Sequence, residues 1–533
     1  AIGSAVASLA PAKVASETVH VPFVTFNRSP EAARRNVCPG CGGTKVPDVD
    51  DRLHMLRVDR VVGSGTEPIG AFAVFAVHGT AVAESNQLYH GDVPGYAARR
   101  LTALVKSAHP GAVGFVGAVA NGAEGDVSPT KVKQGFAEAE LVGRAIGKAA
   151  YDAYEAAGAH LSADVDLGHA YRELVVPGAH TVAGDVCDSP MVGIPTIAGA
   201  EDGPSFLRGK FGVYEGRRKD EPEGCQGTKE PALGSLTEHF VLGDRMPGIE
   251  TMPRIGAFNV TALYHDDHRR SVGSDPEPIV VYATVPGEPT TAVGHAIAER
   301  VALELVPIEE PKGKSRADDP SDKVAVIGLT NAYLGYFTSS AEYAAQAYEG
   351  GSTFYGPLQS LLAAEQLQSL AARVRERLPV PSAAGVVSMP PLRERSADSL
   401  FYAHNDYKPG PSVHFFGARS DCAAGEHEWA ALGISRTSKA GKLDHVTFQW
   451  TGLHKDFFCP PPKIVVVCGG APLVDRFGQA ETDDGTRFEV SRKGVAEWSL
   501  AFFPTETEVG QPRCTFQIRR TREPPVTSPE FSL

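Results

Sequence analysis

The run Ala112-Val113-Gly114-Phe115-Val116-Gly117-Ala118-Val119 opens into Ala120-Asn121-Gly122-Ala123-Glu124-Gly125-Asp126-Val127-Ser128-Pro129. A continuous apolar stretch, then a Gly-rich loop, then an amphipathic pattern from Gln134 predicts buried strand, loop and helix. In α/β sheets, loops at the carboxyl ends of strands are where ligands bind. Pro129 removes a backbone donor and disfavours helix at Ser128. Asp126 and Ser128 are either caps of an ordinary turn or functional groups, and the rest of the chain has to choose.

The same device recurs outward from this stretch. Ile69 to Val77 is a run of small and β-branched residues closed by His78-Gly79-Thr80, as expected of a strand covered on both faces in a parallel or mixed sheet. Pro278 to Val285 leads to Pro286-Gly287-Glu288, and Lys323 to Leu329 leads to a loop ending at Tyr336. Helices are predicted over Gly95–Ala108, Gln134–Ala157, Thr291–Leu305 and Gly356–Leu378. In the second, Phe136, Leu141, Val142, Ile146 and Tyr154 form the expected buried side. Residues 1–14 read as a helix end stopped by Pro11, Val19–Phe26 as a strand ending at the turn Asn27-Arg28-Ser29-Pro30, residues 31–52 as loop, and Leu53–Val61 as a strand. Beyond a strand at Tyr171–Val176, residues 178–256 are Gly/Pro-rich with little periodicity, as expected of a segment wrapping a site. Residues 309–322 read as a solvated insertion.

From Pro379 to Pro411 the chain lacks periodicity and reads as a linker. Beyond it come short, partly alternating strands separated by turn residues. The expected fold is therefore α/β plus β: a large mixed-sheet α/β domain over 1–378, a linker over 379–411, and an immunoglobulin-like β-sandwich over 412–533.

The 533 residues, 42% of them hydrophobic, suffice for several domains. A formal net charge of −13 without a basic run excludes nucleic acid as the expected partner. No stretch approaches the roughly 18 apolar residues of a membrane span. Cys38 and Cys41 supply two of the four ligands of a structural zinc and no second pair follows, so a local disulfide or two thiols is preferred. Cys422, Cys459, Cys468 and Cys514 are candidates for one or two disulfides of unassigned pairing.

Four strand ends thus present His78, Ser128 with Asp126, Glu288 and Tyr336. If they share one side of a sheet, His, Glu and Tyr with a water suit a zinc ion acting as Lewis acid. The alternatives are a hydrogen-bonded His, a helix-capping Glu and a core Tyr.

In order along the chain, Asn27-Arg28-Ser29-Pro30, Phe75-Ala76-Val77-His78, Gly125-Asp126-Val127-Ser128-Pro129, Ala198-Gly199-Ala200-Glu201-Asp202-Gly203, Pro286-Gly287-Glu288, Asn331-Ala332-Tyr333-Leu334-Gly335-Tyr336 and Glu342 to Pro357 resemble neutral ceramidases. The resemblance covers most of 1–378. It implies a zinc-dependent hydrolysis of the N-acyl amide of ceramide to sphingosine and fatty acid, with His78, Glu288 and Tyr336 as ligands of one zinc ion. It implies Ser128 as nucleophile or as a positioning group while a zinc-activated water attacks. Arg28 and Tyr348 would orient the substrate or stabilise the developing oxyanion. A ceramide-like lipid, contact with a membrane surface, and a secreted, periplasmic or cell-surface location are expected on the same ground.

The family's first zinc ligand lies in a His-x-His-Ser-Gly motif upstream of the Asn-Arg-Ser-Pro segment, and nothing like it precedes Asn27. Either a separate amino-terminal piece supplies that ligand, which is the preferred expectation, or the site is degenerate. Thr130 and Pro289 depart from the family's Asn and aromatic residues. Two other expectations are kept: hydrolysis of another lipidic N-acyl amide, and a lipid-binding or assembly protein descended from a ceramidase.

Overall fold

The computed structural model describes residues 6, 8–36, 47–82, 90–232, 255–265, 278–306, 319–331, 333–376, 430–439, 442–451, 463–474, 488–493, 497–504, 508–519 and 525–533. Its first half is built from β1 (Ala12–His20), β2 (Thr25–Asn27), β3 (Arg52–Val62), β4 (Gly65–Phe75), α1 (Asp92–Ala108), β5 (Val116–Asn121), β6 (Val127–Pro129) and α2 (Phe136–Ala157). A four-stranded sheet runs in the order β1-β3-β4-β5, antiparallel except for the parallel β4/β5 pair. Side chains along β4 alternate between two environments. Ala71, Ala73 and Phe75 pack with Leu101 and Ile146 of α1 and α2, whereas Phe72 and Val74 pack against Val280, Tyr282 and Ala325.

Those last residues belong to the second half: β7 (Val165–Val175), β8 (Ile255–His265), β9 (Pro278–Thr284), β10 (Glu288–Pro289), α3 (Thr291–Leu305), β11 (Val324–Ile327), β12 (Tyr336–Phe337) and α4 (Gln359–Glu376). Its sheet runs β11-β9-β8-β7, with β9/β11 parallel and the other pairs antiparallel. Val281 and Ala283 face Val293, Ile297 and Val301 of α3 and Leu367 and Leu370 of α4. Val280 and Tyr282 face the first sheet, where Tyr282 meets Phe72 edge to face at 5.7 Å. The result is helices, sheet, sheet, helices. It explains why β9 reads as an unbroken apolar run: both faces are covered, and each large side chain so buried stabilises by about 1.5–3 kcal/mol.

The carboxyl-terminal strands form two antiparallel sheets that share one core. Val446, Phe448 and Trp450 of one sheet pack with Ile464, Val466, Phe516 and Ile518 of the other. Cys468 and Cys514 are opposite each other on paired strands and disulfide-bonded. A second disulfide joins Cys187 and Cys225. Cys38, Cys41, Cys422, Cys459, the linker over 379–411 and the first part of the expected β-sandwich, 412–429, lie outside the described residues.

Several expectations are corrected. Ala12–Val14 belongs to β1, not to a helix end, because residues 12–20 pair with β3 throughout. The single strand over Val19–Phe26 is two strands, β1 and β2, in different sheets. The run from Ala112 is not a buried strand: β5 starts at Val116 and is the edge of its sheet, so Val116 is 66% exposed. Leu141 is exposed as well. Strand β8, not expected from the sequence, begins at the very end of the region read as irregular. Among the described residues, no helix is long and apolar enough to cross a membrane.

Candidate active site

Two short ladders build the site. Strands β2 and β6 pair antiparallel with Phe26 opposite Ser128, which delivers Arg28 beside the Gly-rich loop. Strands β10 and β12 pair in parallel with Glu288 opposite Tyr336. His78, just past β4, joins the first ladder through its backbone N–H, which donates to the Val127 carbonyl at 3.0 Å. Gly125 joins the two ladders: its N–H donates to Pro289 O at 2.9 Å. A Cβ at Gly125 would lie 2.7 Å from the Glu288 carbonyl oxygen, so the approach requires glycine. Gly335 has φ +75° and is walled by Phe354 and Ser352, which fixes the turn into Tyr336.

Six side chains expected from the sequence are brought together. The His78 Nδ1–H donates to Val127 O at 3.1 Å, which turns Nε2 toward Glu288 Oε2 at 2.8 Å and the Tyr336 hydroxyl at 3.3 Å. With Nδ1 carrying a proton, neutral His78 presents a lone pair to a carboxylate. That arrangement calls for a cation between the two, either a second ring proton or a metal. Tyr333 donates to the other Glu288 oxygen at 2.6 Å. Burial opposes the Glu288 charge, but the bonds from His78, Tyr333 and Tyr336 hold its pKa below the usual value.

Arg28 is 4% exposed, and its Nε and Nη2 are committed to hydrogen bonds. Its Nε donates to Glu349 at 2.8 Å, and its Nη2 to Gly125 O at 2.8 Å and the Tyr336 hydroxyl at 3.0 Å, while Nη1 lies 3.5 Å from Asp202. Burial works against its charge, yet Glu349, Tyr336 and Asp202 keep its pKa well above the ordinary value. Tyr348 stands edge-on to Tyr336 at 5.4 Å, with the Arg28 guanidinium 5.3 Å from its ring centre. Ser128 is buried, and its Oγ donates to Asp202 Oδ2 at 2.5 Å.

The alternatives left open by the sequence divide. Asp126 is a clasp: Oδ1 accepts from Thr291 N and Oγ1 at the start of α3 and Oδ2 from Asn27, at 2.7, 2.9 and 2.7 Å. Burial and the neighbouring Glu342 push its pKa up to about 7. Glu288 does not cap α3.

Sequence reasoning missed four groups. Glu349, next to Tyr348, braces Arg28 and Ser29. Tyr333 holds Glu288. Glu124 is fully buried with neither carboxyl oxygen hydrogen-bonded, and burial followed by the Glu288 charge raises its pKa well above normal. Asp202 comes from the irregular segment. The signals in the sequence were their places in stretches already singled out: Glu124 in the Gly-rich loop, Asp202 just before Gly203, Tyr333 and Glu349 in the segments ending at Tyr336 and Pro357.

The molecule is a two-sheet α/β layer protein whose buried polar centre is made by strand ends of both halves. The chain belongs to the neutral/alkaline non-lysosomal ceramidase family, whose amino-terminal sequence model matches residues 1–223 and 278–364, more than half of the chain. The neutral ceramidase of Mycobacterium tuberculosis is 27% identical over 400 residues, 70% of this chain and 56% of that protein. That of Drosophila melanogaster is 26% identical over 385 residues, covering 63% and 51%. The chain thus spans about half the length of these curated relatives. A solved structure described as a ceramidase complexed with C2 superposes with a TM-score of 0.62 at 20% identity, covering 99% of this chain and 79% of that one. The neutral ceramidase structure from Pseudomonas aeruginosa gives 0.60 at 20% identity, with 100% and 78% covered. At this identity the likeness is one of fold.

Proposed function

We propose that the chain hydrolyses the N-acyl amide of ceramide, giving a sphingoid base and a fatty acid. The observation that carries the reading is the convergence of His78, Glu288 and Tyr336 beside Arg28, in a chain of this family. The donor set fits a zinc ion: an imidazole nitrogen oriented by a backbone carbonyl, a carboxylate and a phenol. His78, Glu288 and Tyr336 would hold it, and bound zinc supplies Lewis acidity and a lowered water pKa.

The chain's own groups do the rest. Arg28, buried and permanently charged, offers donors to the oxygen on which charge develops at the amide carbon. Glu349 and the Gly125 carbonyl hold that guanidinium in place before substrate arrives. Ser128 presents a hydroxyl whose direction Asp202 sets. Tyr348, packed on Tyr336 and Arg28, closes one wall and keeps water away from the charged groups. The two disulfides among the described residues suit an oxidising compartment, in keeping with a secreted, periplasmic or cell-surface protein.

Metal analysis of the purified full-length protein, with hydrolysis of N-acyl-sphingosine and N-acyl amino acids side by side, tests the proposal. Stoichiometric zinc that is lost in Glu288→Gln, together with cleavage of ceramide, is expected. Zinc-free active protein, or preference for the N-acyl amino acid, overturns it. The coding sequence upstream of Ala1 is read for the His-x-His-Ser-Gly ligand segment in the same experiment.

A further inference from the structure

Residues 198–216 leave the strand ends and return to the site twice. Gly199–Ala200 pairs with Gly203–Pro204, and Asp202 lies at the turn between them. That turn has one accessible shape: Gly199 has φ +80°, and a Cβ there would lie 2.5 Å from Gly203 O. Arg208 donates to Ala200 O at 3.1 Å and to Glu215 at 2.9 Å. Glu215 in turn accepts from the backbone N–H of Tyr348 at 3.0 Å. The hairpin carrying Asp202 is therefore braced against the segment carrying Tyr348.

The two carboxyl oxygens of Asp202 have separate tasks. Oδ2 accepts from Ser128 at 2.5 Å, Thr80 at 2.9 Å and Lys131 at 3.2 Å. Oδ1 is buried without a hydrogen bond and faces Arg28 at 3.5 Å. Burial would raise the carboxyl pKa, but Ser128, Arg28, Lys131 and Thr80 together bring it down to about 2. An ionised carboxylate only accepts, and a serine hydroxyl has one proton to give. That proton is committed to Asp202, which leaves the Ser128 lone pairs free for whatever enters the centre.

We propose that Asp202 is the positioning residue of this centre: it fixes the direction of the Ser128 hydroxyl through Oδ2 and steadies the Arg28 guanidinium through Oδ1. The inference rests on the amidohydrolase reading of the same site. It names a residue on an irregular loop as the part that couples the serine to the arginine.

Asp202→Asn is the direct test, because asparagine has the same shape but carries an oxygen on one arm and an amide NH2 on the other. With the oxygen toward Ser128, the NH2 confronts Arg28; turned over, it confronts three donors. Turnover of ceramide is expected to fall about 100-fold, with KM within about threefold. Ser128→Ala should lower turnover as well, and the double variant should lose clearly less than the product of the two single losses, since the Ser128 share is removed only once and the Arg28 share alone is added. Urea unfolding of the same four proteins reads the contact without turnover. The midpoint of the double variant should coincide with that of the less stable single variant. Multiplicative losses of turnover, additive midpoint shifts, or an unimpaired Asp202→Asn enzyme overturn the proposal. Coupled midpoints in a wild-type protein that cleaves no N-acyl amide would sink the functional reading and leave the Ser128–Asp202 positioning contact standing.

Discussion

Arg28→Lys keeps the charge at the centre and removes the fork that distributes it. Arg28 uses one nitrogen for Glu349, a second for Gly125 O and Tyr336, and places the third near Asp202. One ammonium cannot reach partners spread over three nitrogens. Lysine therefore loses about two charge-assisted hydrogen bonds, each contributing about 1.5–3 kcal/mol. The expected cost is about 3–5 kcal/mol, in the range for breaking a buried ion pair from one side. At about 2.1 cal/mol/K of unfolding entropy per residue, a domain the size of 1–378 should melt about 4–6 °C lower. Differential scanning calorimetry at fixed pH and salt measures it. Arg28→Lys/Glu349→Gln, in which no carboxylate is stranded at 349, should lie closer to the wild type than the sum of the single variants. A lysine variant melting within 2 °C of the wild type would show that the fork is not what the buried carboxylates rely on.

Three further outcomes are expected. His54 is buried beside Arg52, and burial first and that charge second push its pKa down to about 3, against about 6.5 unfolded. Only the unfolded chain binds the proton between those values, so this contribution is complete above pH 6.5 and falls on acidification by up to about 1.4 kcal/mol per pH unit. His54→Gln should flatten that acid limb in denaturant titrations run from pH 7 to 4, and an unchanged limb would exclude His54 as its source. Gly125→Ala should push β10 from the Ser128 loop, since its Cβ would meet backbone atoms of Glu288 and Pro289 at 2.7–2.9 Å. Turnover should drop by more than tenfold for a stability loss of about 1–3 kcal/mol, and an alanine enzyme with normal kcat would refute the close approach. Ser339→Ala removes a capping box in which Ser339 and Glu342 serve each other's backbone N–H. Chemical denaturation should show a loss of about 0.5–2 kcal/mol, and a loss below that range would mean that the cap contributes nothing net.

The strand ends were readable because a strand covered on both faces leaves no polar residue until it emerges, so His78 and Glu288 stand out by contrast. Helix α3 was readable to its limits for a related reason: Thr290 at its start and the apolar residues at helical spacing agree with one another. The edge position of β5 was not legible, since Val116 has the same composition whether covered or bare. Strand β8 alternates Phe258, Val260 and Ala262 with Asn259 and Thr261, which is a strand pattern, and it was missed because it adjoins a long region without periodicity. Asp202 and Glu349 escaped because their roles come from partners 74 and 321 positions away in the chain, Ser128 for Asp202 and Arg28 for Glu349, and no local spacing encodes that.

The seam between the two sheets carries one more consequence. His78 and Ser128 descend from one half of the layer structure and Glu288 and Tyr336 from the other, and the Gly125–Pro289 hydrogen bond is made across the boundary. Either half folded by itself would be optically ordered and chemically blank. During refolding from urea, recovery of the proposed amide hydrolysis should trail recovery of the far-ultraviolet signal, and chain breaks in exposed loops should abolish it only when they let the halves separate.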